Sequence, residues 1–166
     1  MLTHGILAGQ AIRTNNVSIQ TPVTYDYLQD VKVHFLASYS FGRHAPFAGI
    51  SFPVNDSPMA NYGFSAGYKF FPNKLKQTFD FYFLYLLQGD SRKLYSNSDV
   101  KGFSLQNRLG YGFNVYLNDR LYIVHHVAAG IENAWFAGYE VFTDVSLTAG
   151  LGIGVKIGNK SKTDEE

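Results

Sequence analysis

The histidines are the first place to look for chemistry. His125 and His126 are adjacent within HHVAAGIENAWFAGYE, with Glu132 and Glu140 downstream. Neighbouring side chains of an extended chain point to opposite sides, so these two rings cannot readily share one metal ion. His4, His34 and His44 are scattered, and there is no cysteine. Thiolate sites, disulfides and a Cys nucleophile are therefore excluded. Gly150-x-Gly152-x-Gly154 is not followed by a helix-forming stretch, as a nucleotide loop requires. Ser91-Arg92-Lys93 reads as a solvated turn. A net charge of +1 gives no signal for nucleic acid. No metal, no cofactor and no catalytic residue is expected from these groups.

The elements that carry them are strands. In VSLTAGLGIGVKI, residues 145–157, the odd positions Val145, Leu147, Ala149, Leu151, Ile153, Val155 and Ile157 are all apolar. Ser146, Thr148, Gly150, Gly152, Gly154 and Lys156 alternate with them. This is a two-faced strand, about twice the ~5–6 residues usual in a globular sheet. The same alternation predicts strands over 31–41, 47–53, 62–70, 79–87, 103–117 and 121–132. The segment LTHGILAGQAIR, 2–13, is taken as the first strand, although its bulky residues do not sort by parity. Residues 14–30 read as a polar loop, on Asn15-Asn16 and Thr21-Pro22. Residues 42–46, 72–77 and 118–120 read as short turns; 54–61, 88–101 and 134–140 read as loops. The result is one all-β domain over 1–158, with long and short connections alternating. A polar tail, NKSKTDEE, covers 159–166.

Composition decides what the apolar faces meet. Charged residues are 16% of the chain, against ~25% in ordinary soluble domains. Aromatic residues are another 16%. The longest apolar run, FYFLYLL at 81–87, is far short of the ~20 residues of a membrane-spanning helix. The polar face of the strands is mainly Gly, Ser, Thr and Asn, a poor solvated exterior but a good filling for a narrow interior. The expectation is an eight-stranded antiparallel up-and-down transmembrane β-barrel with a side-chain-filled interior. Short turns and both termini would face the periplasm, and the long loops the outside. Met1-Leu2-Thr3-His4 has neither the basic nor the apolar region of a signal peptide, so an exported protein would be present in mature form.

The turn Asn118-Asp119-Arg120 sets a register that places Gly112 opposite His126, Tyr116 opposite Tyr122 and Gln106 opposite Glu132. The lumen would then hold Lys32, His34, Lys69, Asp80, Gln106, Arg108, Asn114, His126, Glu132, Asp144 and Lys156. Buried charges must pair. An Arg108–Glu132 pair, with Asp144 beside it and Gln106, Lys69 and Asp80 in the same polar network, is the expected arrangement.

On strand parity, aromatic residues near strand ends and the loop rhythm, nearly the whole chain resembles the small eight-stranded outer-membrane barrels, the OmpA transmembrane-domain and OmpX-like group. The last strand differs from many of them. It ends Val155-Lys156-Ile157-Gly158 rather than on a terminal Phe. The His125-His126 region partially resembles the lipid A deacylase barrels, which use a Ser two residues after the His. Here those positions are Val127 and Ala128, so the nucleophile is missing.

His125 points outward by parity, and Asn107 breaks the outward apolar face of the neighbouring strand. Both are candidate contacts for a partner protein or a lipid headgroup. The resemblance and the missing nucleophile together imply a non-enzymatic outer-membrane barrel, structural or an accessory subunit of a larger assembly. It would contact outer-membrane lipid, lipopolysaccharide and other outer-membrane proteins. A lipid A-modifying enzyme and a narrow pore are the alternatives.

Overall fold

The computed structural model describes residues 15–26, 31–54, 60–73, 78–94 and 97–157. It is a closed barrel of eight antiparallel strands in sequential order. The strands are β1 (Asn16–Asp26), β2 (Val31–Ser40), β3 (His44–Pro53), β4 (Ala60–Phe70), β5 (Phe79–Leu94), β6 (Asn97–Tyr116), β7 (Leu121–Phe136) and β8 (Phe142–Ile157). The register expected around the β6–β7 turn is the one observed: Gly112 pairs with His126, Tyr116 with Tyr122 and Gln106 with Glu132.

The barrel is inside out relative to a soluble protein. Leu109 is 70% exposed and Leu151 58%, whereas Arg108 is 1% exposed and Lys32 0%. Water on the outside would reverse this order. Aromatic side chains cluster on the exterior at two heights. Phe35, Phe52 and Tyr62 pack edge-on near one end, where Phe103 and Trp135 stack. Tyr39, Phe41, His44 and Tyr68 cluster near the other, where the His44 ring also meets the Tyr68 hydroxyl. Such pairs of belts mark the two interfaces of a bilayer.

The first strand is not where the sequence placed it. Residues 2–13 lie outside the described residues, as does the expected tail 159–166. The strand that closes the barrel is β1, inside the segment read as a polar loop. Its outward residues Val17, Ile19, Val23 and Tyr25 are exposed, while Ser18, Gln20, Thr24 and Asp26 are buried in the lumen. In an inside-out barrel the inward half of a strand can be polar, so polarity does not mark a loop. Pro22 misled for a related reason. It pairs with Gly152 on the β8 side. On the β2 side the ladder stops at Gln20↔Leu36 and resumes in the same register at Val23↔Val33. The missing N–H costs rungs, not the strand.

The expected long loop 88–101 is also mostly strand. β5 continues to Leu94 and β6 begins at Asn97. Likewise β7 reaches Phe136 and β8 starts at Phe142, leaving only 137–141 between them. The alternation of long and short connections is therefore absent. What differs is strand length: β1 to β4 have 10 or 11 residues, β5 to β8 have 16 to 20. A tilted strand crosses hydrocarbon in ~9–11 residues. The β5–β8 wall therefore rises past the membrane at the end opposite the β6–β7 turn.

Small residues on β8 give the lumen its room. A Cβ built on Gly154 would lie 2.2 Å from the Tyr122 ring, and one on Gly150 2.3 Å from the His126 ring. On Gly152 it would lie 2.3 Å from the Pro22 Cα. Backbone cannot step aside as a ring can. Gly152→Val should therefore destabilise the barrel by at least the ~1–3 kcal/mol of an overpacked core. Ala149→Val, outward on the same strand, should change stability far less. Urea unfolding in micelles, followed by fluorescence of the single tryptophan Trp135, checks both; equal effects would contradict the assigned faces.

Candidate functional site

The lumen is the one place where polar chemistry is concentrated among the described residues. It is built in three tiers, each supplied by inward positions of several strands. The upper tier lies toward the extended β5–β6 hairpin. Lys32 Nζ from β2 donates to Asp90 Oδ2 of β5 at 2.7 Å and lies 3.7 Å from Asp26 Oδ2 of β1. Arg108 of β6 is the hub. Its Nε donates to Ser146 Oγ at 2.6 Å, its Nη1 to Gln88 Oε1 at 3.1 Å and its Nη2 to Gln106 Oε1 at 2.5 Å. The same Nη2 lies 3.2 Å from Asp26 Oδ1. Arg92 Nε lies 3.0 Å from Glu132 Oε1 and donates to Ser104 Oγ at 2.9 Å. Three cations, Lys32, Arg92 and Arg108, thus face three anions, Asp26, Asp90 and Glu132.

The expected Arg108–Glu132 pair is corrected here. Arg108 pairs with Asp26, and Glu132 pairs with Arg92. Asp144 is opposite Glu132 in register, yet it is exposed and its Oδ1 accepts from the Val145 N–H. It sits at the rim, where inward parity no longer means burial. Gln106 belongs to the Arg108 cluster as expected. Lys69 and Asp80 are buried but lie toward the opposite end. The sequence reading missed Asp26, Gln88, Asp90 and Arg92, because they fell in segments taken for loops. A signal existed: 88, 90 and 92 continue the inward parity of Asp80, Tyr82, Leu84 and Leu86.

The middle tier is largely apolar, with Leu36, Leu84, Leu86 and Val124 buried together. Within it His34 Nδ1 contacts Ser65 Oγ at 3.0 Å and Nε2 contacts Thr24 Oγ1 at 2.8 Å. A Ser–His contact invites comparison with a nucleophile and its base. In a Ser-His-Asp triad the second ring nitrogen faces a carboxylate, whereas His34 has a hydroxyl on each. His34 is 2% exposed and Ser65 1%, beyond reach of a lipid or peptide substrate. The pair is a hydrogen-bonded part of the core. In the lower tier Lys69 Nζ donates to Gln20 Oε1 at 2.7 Å, and Tyr122 OH donates to Ser18 Oγ at 3.0 Å. Among the described residues no group of three or more His, Asp or Glu is placed to hold a metal ion.

On the exterior, His125 and Asn107 do not form one patch. His125 stacks on Phe113, ring centroids 4.6 Å apart, close to the β6–β7 turn. Asn107 is level with Ile131, six residues further along β7, roughly 20 Å at ~3.3 Å per residue. Its Oδ1 accepts from Tyr85 OH at 3.1 Å. Each polar group therefore has a local aromatic neighbour that softens its exposure to lipid.

No protein-family model matches the chain. No curated protein matches it by sequence. Solved structures match it by shape. The N-terminal β-barrel domain of Pseudomonas aeruginosa OprF superposes with a TM-score of 0.62 at 12% identity, over 87% of this chain and 100% of that domain. A de novo designed transmembrane β-barrel gives 0.49 at 12% identity, over 89% and 100%. Neisserial surface protein A gives 0.43 at 14% identity, over 86% and 94%. The likeness to the OprF domain is one of fold. The chain has the eight-stranded architecture of the small outer-membrane barrels.

The pairing in the upper tier can be measured. Removing one member of a buried ion pair typically costs ~3–5 kcal/mol, so Arg108→Met should destabilise on that scale. A double-mutant cycle of Arg92→Met with Glu132→Gln should show coupling within the usual ~0.5–3 kcal/mol, and Arg108→Met with Glu132→Gln distinctly less. The reverse order would overturn the pairing described.

Proposed function

We propose that this chain is a non-enzymatic barrel of the bacterial outer membrane, serving as a structural or accessory subunit of a larger assembly. It lies with the extended β5–β6 end outside and its termini in the periplasm. The observation that carries this reading is the lumen. Six charges close on each other across the upper tier, and apolar side chains fill the tier below, so the interior is occupied in holding the barrel together. The surfaces left for function are the loops and the exterior wall. The sealed Ser65–His34 contact weighs against the alternative of a lipid A-modifying enzyme, and the packed lumen weighs against a narrow pore. On the exterior, His125 and Asn107 are the polar groups offered to a neighbouring protein, with outer-membrane lipid and lipopolysaccharide covering the rest.

A photocrosslinking residue placed at 125, or at 35 on the opposite wall, tests the subunit reading in native membranes. A discrete protein adduct from position 125 and lipid adducts alone from position 35 are expected. His125→Leu should weaken the same complex. Lipid adducts alone from both positions would overturn the subunit role. Deletion should leave lipid A mass unchanged, and the purified barrel should be silent in planar bilayers; altered lipid A or steady conductance would favour the enzyme or the pore.

A further inference from the structure

We infer that the lumen binds one halide-sized anion between Lys69 and His126. Lys69 is 4% exposed, and the six charges of the upper tier already balance one another. Its ammonium donates to Gln20 Oε1 and lies 4.6 Å from the Tyr82 ring centroid and 5.7 Å from that of Phe47. No carboxylate among the described residues forms an ion pair with it. The two rings favour the charged form of the amine but carry no net charge to offset it. A positive charge held in a packed interior without a counter-charge is costly.

The space for a counter-charge is present. Lys69 and His126 line one cavity of about 20 Å³, together with Gln20, Thr24 and Ser65. His126 Nε2 is buried with no hydrogen-bond partner among the described residues. A neutral ring carrying its proton on Nε2 would present a second donor beside the ammonium. His34 also lines it, with its two ring nitrogens taken up by Thr24 and Ser65, and the rest of the wall is apolar, including Leu36, Leu84 and Val124. Those features select the ligand. Asp80, the carboxylate buried toward the same end, has an interaction of its own and no ion pair with Lys69, so the ammonium calls for one monovalent ion. A cavity of this size admits a single atom of water or chloride dimensions and excludes four-oxygen anions. Oily walls suit a large, weakly hydrated halide. With the charge cluster above and the Tyr82 and Tyr122 rings below, the ion would be enclosed as the barrel closes. The inference is independent of the proposed subunit role.

The test is to refold the barrel in bromide, crystallise it and measure anomalous scattering at the bromine edge. A bromine peak in the cavity beside Lys69 Nζ is expected. Density without anomalous signal, a water only, would overturn the proposal. In solution, the unfolding midpoint should be higher in sodium bromide than in sodium gluconate of equal ionic strength. That difference should vanish in Lys69→Met and persist in Lys101→Met, which alters an exposed lysine on β6. A midpoint indifferent to halide in the unsubstituted protein would also overturn it. If Lys69→Met does not fold, the anomalous map decides alone.

Discussion

Everything in this molecule depends on the closure between its first and last strands. β1 meets β8 through an unbroken ladder from Val17↔Ile157 to Asp26↔Thr148. In hydrocarbon there is no water to satisfy an open edge, and each unpaired backbone group there costs several kcal/mol. A barrel one strand short would be an open sheet with two such edges. The closing strand, NVSIQTPVTYD, is half polar in sequence, and it contains a proline. It is tolerated because ladder bonds, which any residue except proline can donate, hold it on both sides. Pro22 itself faces the lumen, where Gly152 leaves its ring room.

Closure at eight strands fixes the second constraint, a lumen just wide enough for side chains. Large inward residues must then be matched by small ones. Tyr122 lies against Gly154, His126 against Gly150 and Tyr82 against Gly112. The glycines of β8 are therefore spatial complements of β1 and β7 and owe nothing to nucleotide binding. The same narrowness forces charges together. Arg108 spends its guanidinium on Ser146, Gln88, Gln106 and Asp26 at once, a geometry that a lysine could not reproduce.

How far the sequence could be read follows from these constraints. Parity locates any strand whose outward face is continuously apolar, which is why β2, β6 and β8 were legible and why the β6–β7 register followed from three turn residues. Parity fails where the outward face also turns polar. On β5, Gly89, Ser91 and Lys93 face outward beyond the apolar band, so Gln88, Asp90 and Arg92 looked like loop residues while occupying lumen positions. Losing that extension hid Asp90 and Arg92, two of the six charges, and misreading β1 hid a third, Asp26. Arg108 and Glu132 were then paired with each other because their true partners were hidden. Asp144 failed in the opposite direction: its parity is inward, but burial requires a facing wall, and the rim does not supply one.

The vertical order of the lumen explains why so many charges coexist with so little free space. Ion pairs sit in the upper tier, where Asp26, Asp90 and Glu132 each meet a cation directly. Below them Leu36, Leu84, Leu86 and Val124 form a belt without a formal charge, crossed by the His34 contacts to Ser65 and Thr24. An ion moving along the axis would have to break the upper pairs and then shed its water against this belt. Breaking one buried pair costs several kcal/mol by itself, and the belt offers few donors or acceptors in return. The arrangement thus supports a plug more than a gate. Lys69 stands at the lower edge of the belt, paired in register with Leu84 and held by Gln20 and two rings, and the rest of the belt separates it from the carboxylates that neutralise the other lumen cations. Its charge must be met locally or not at all.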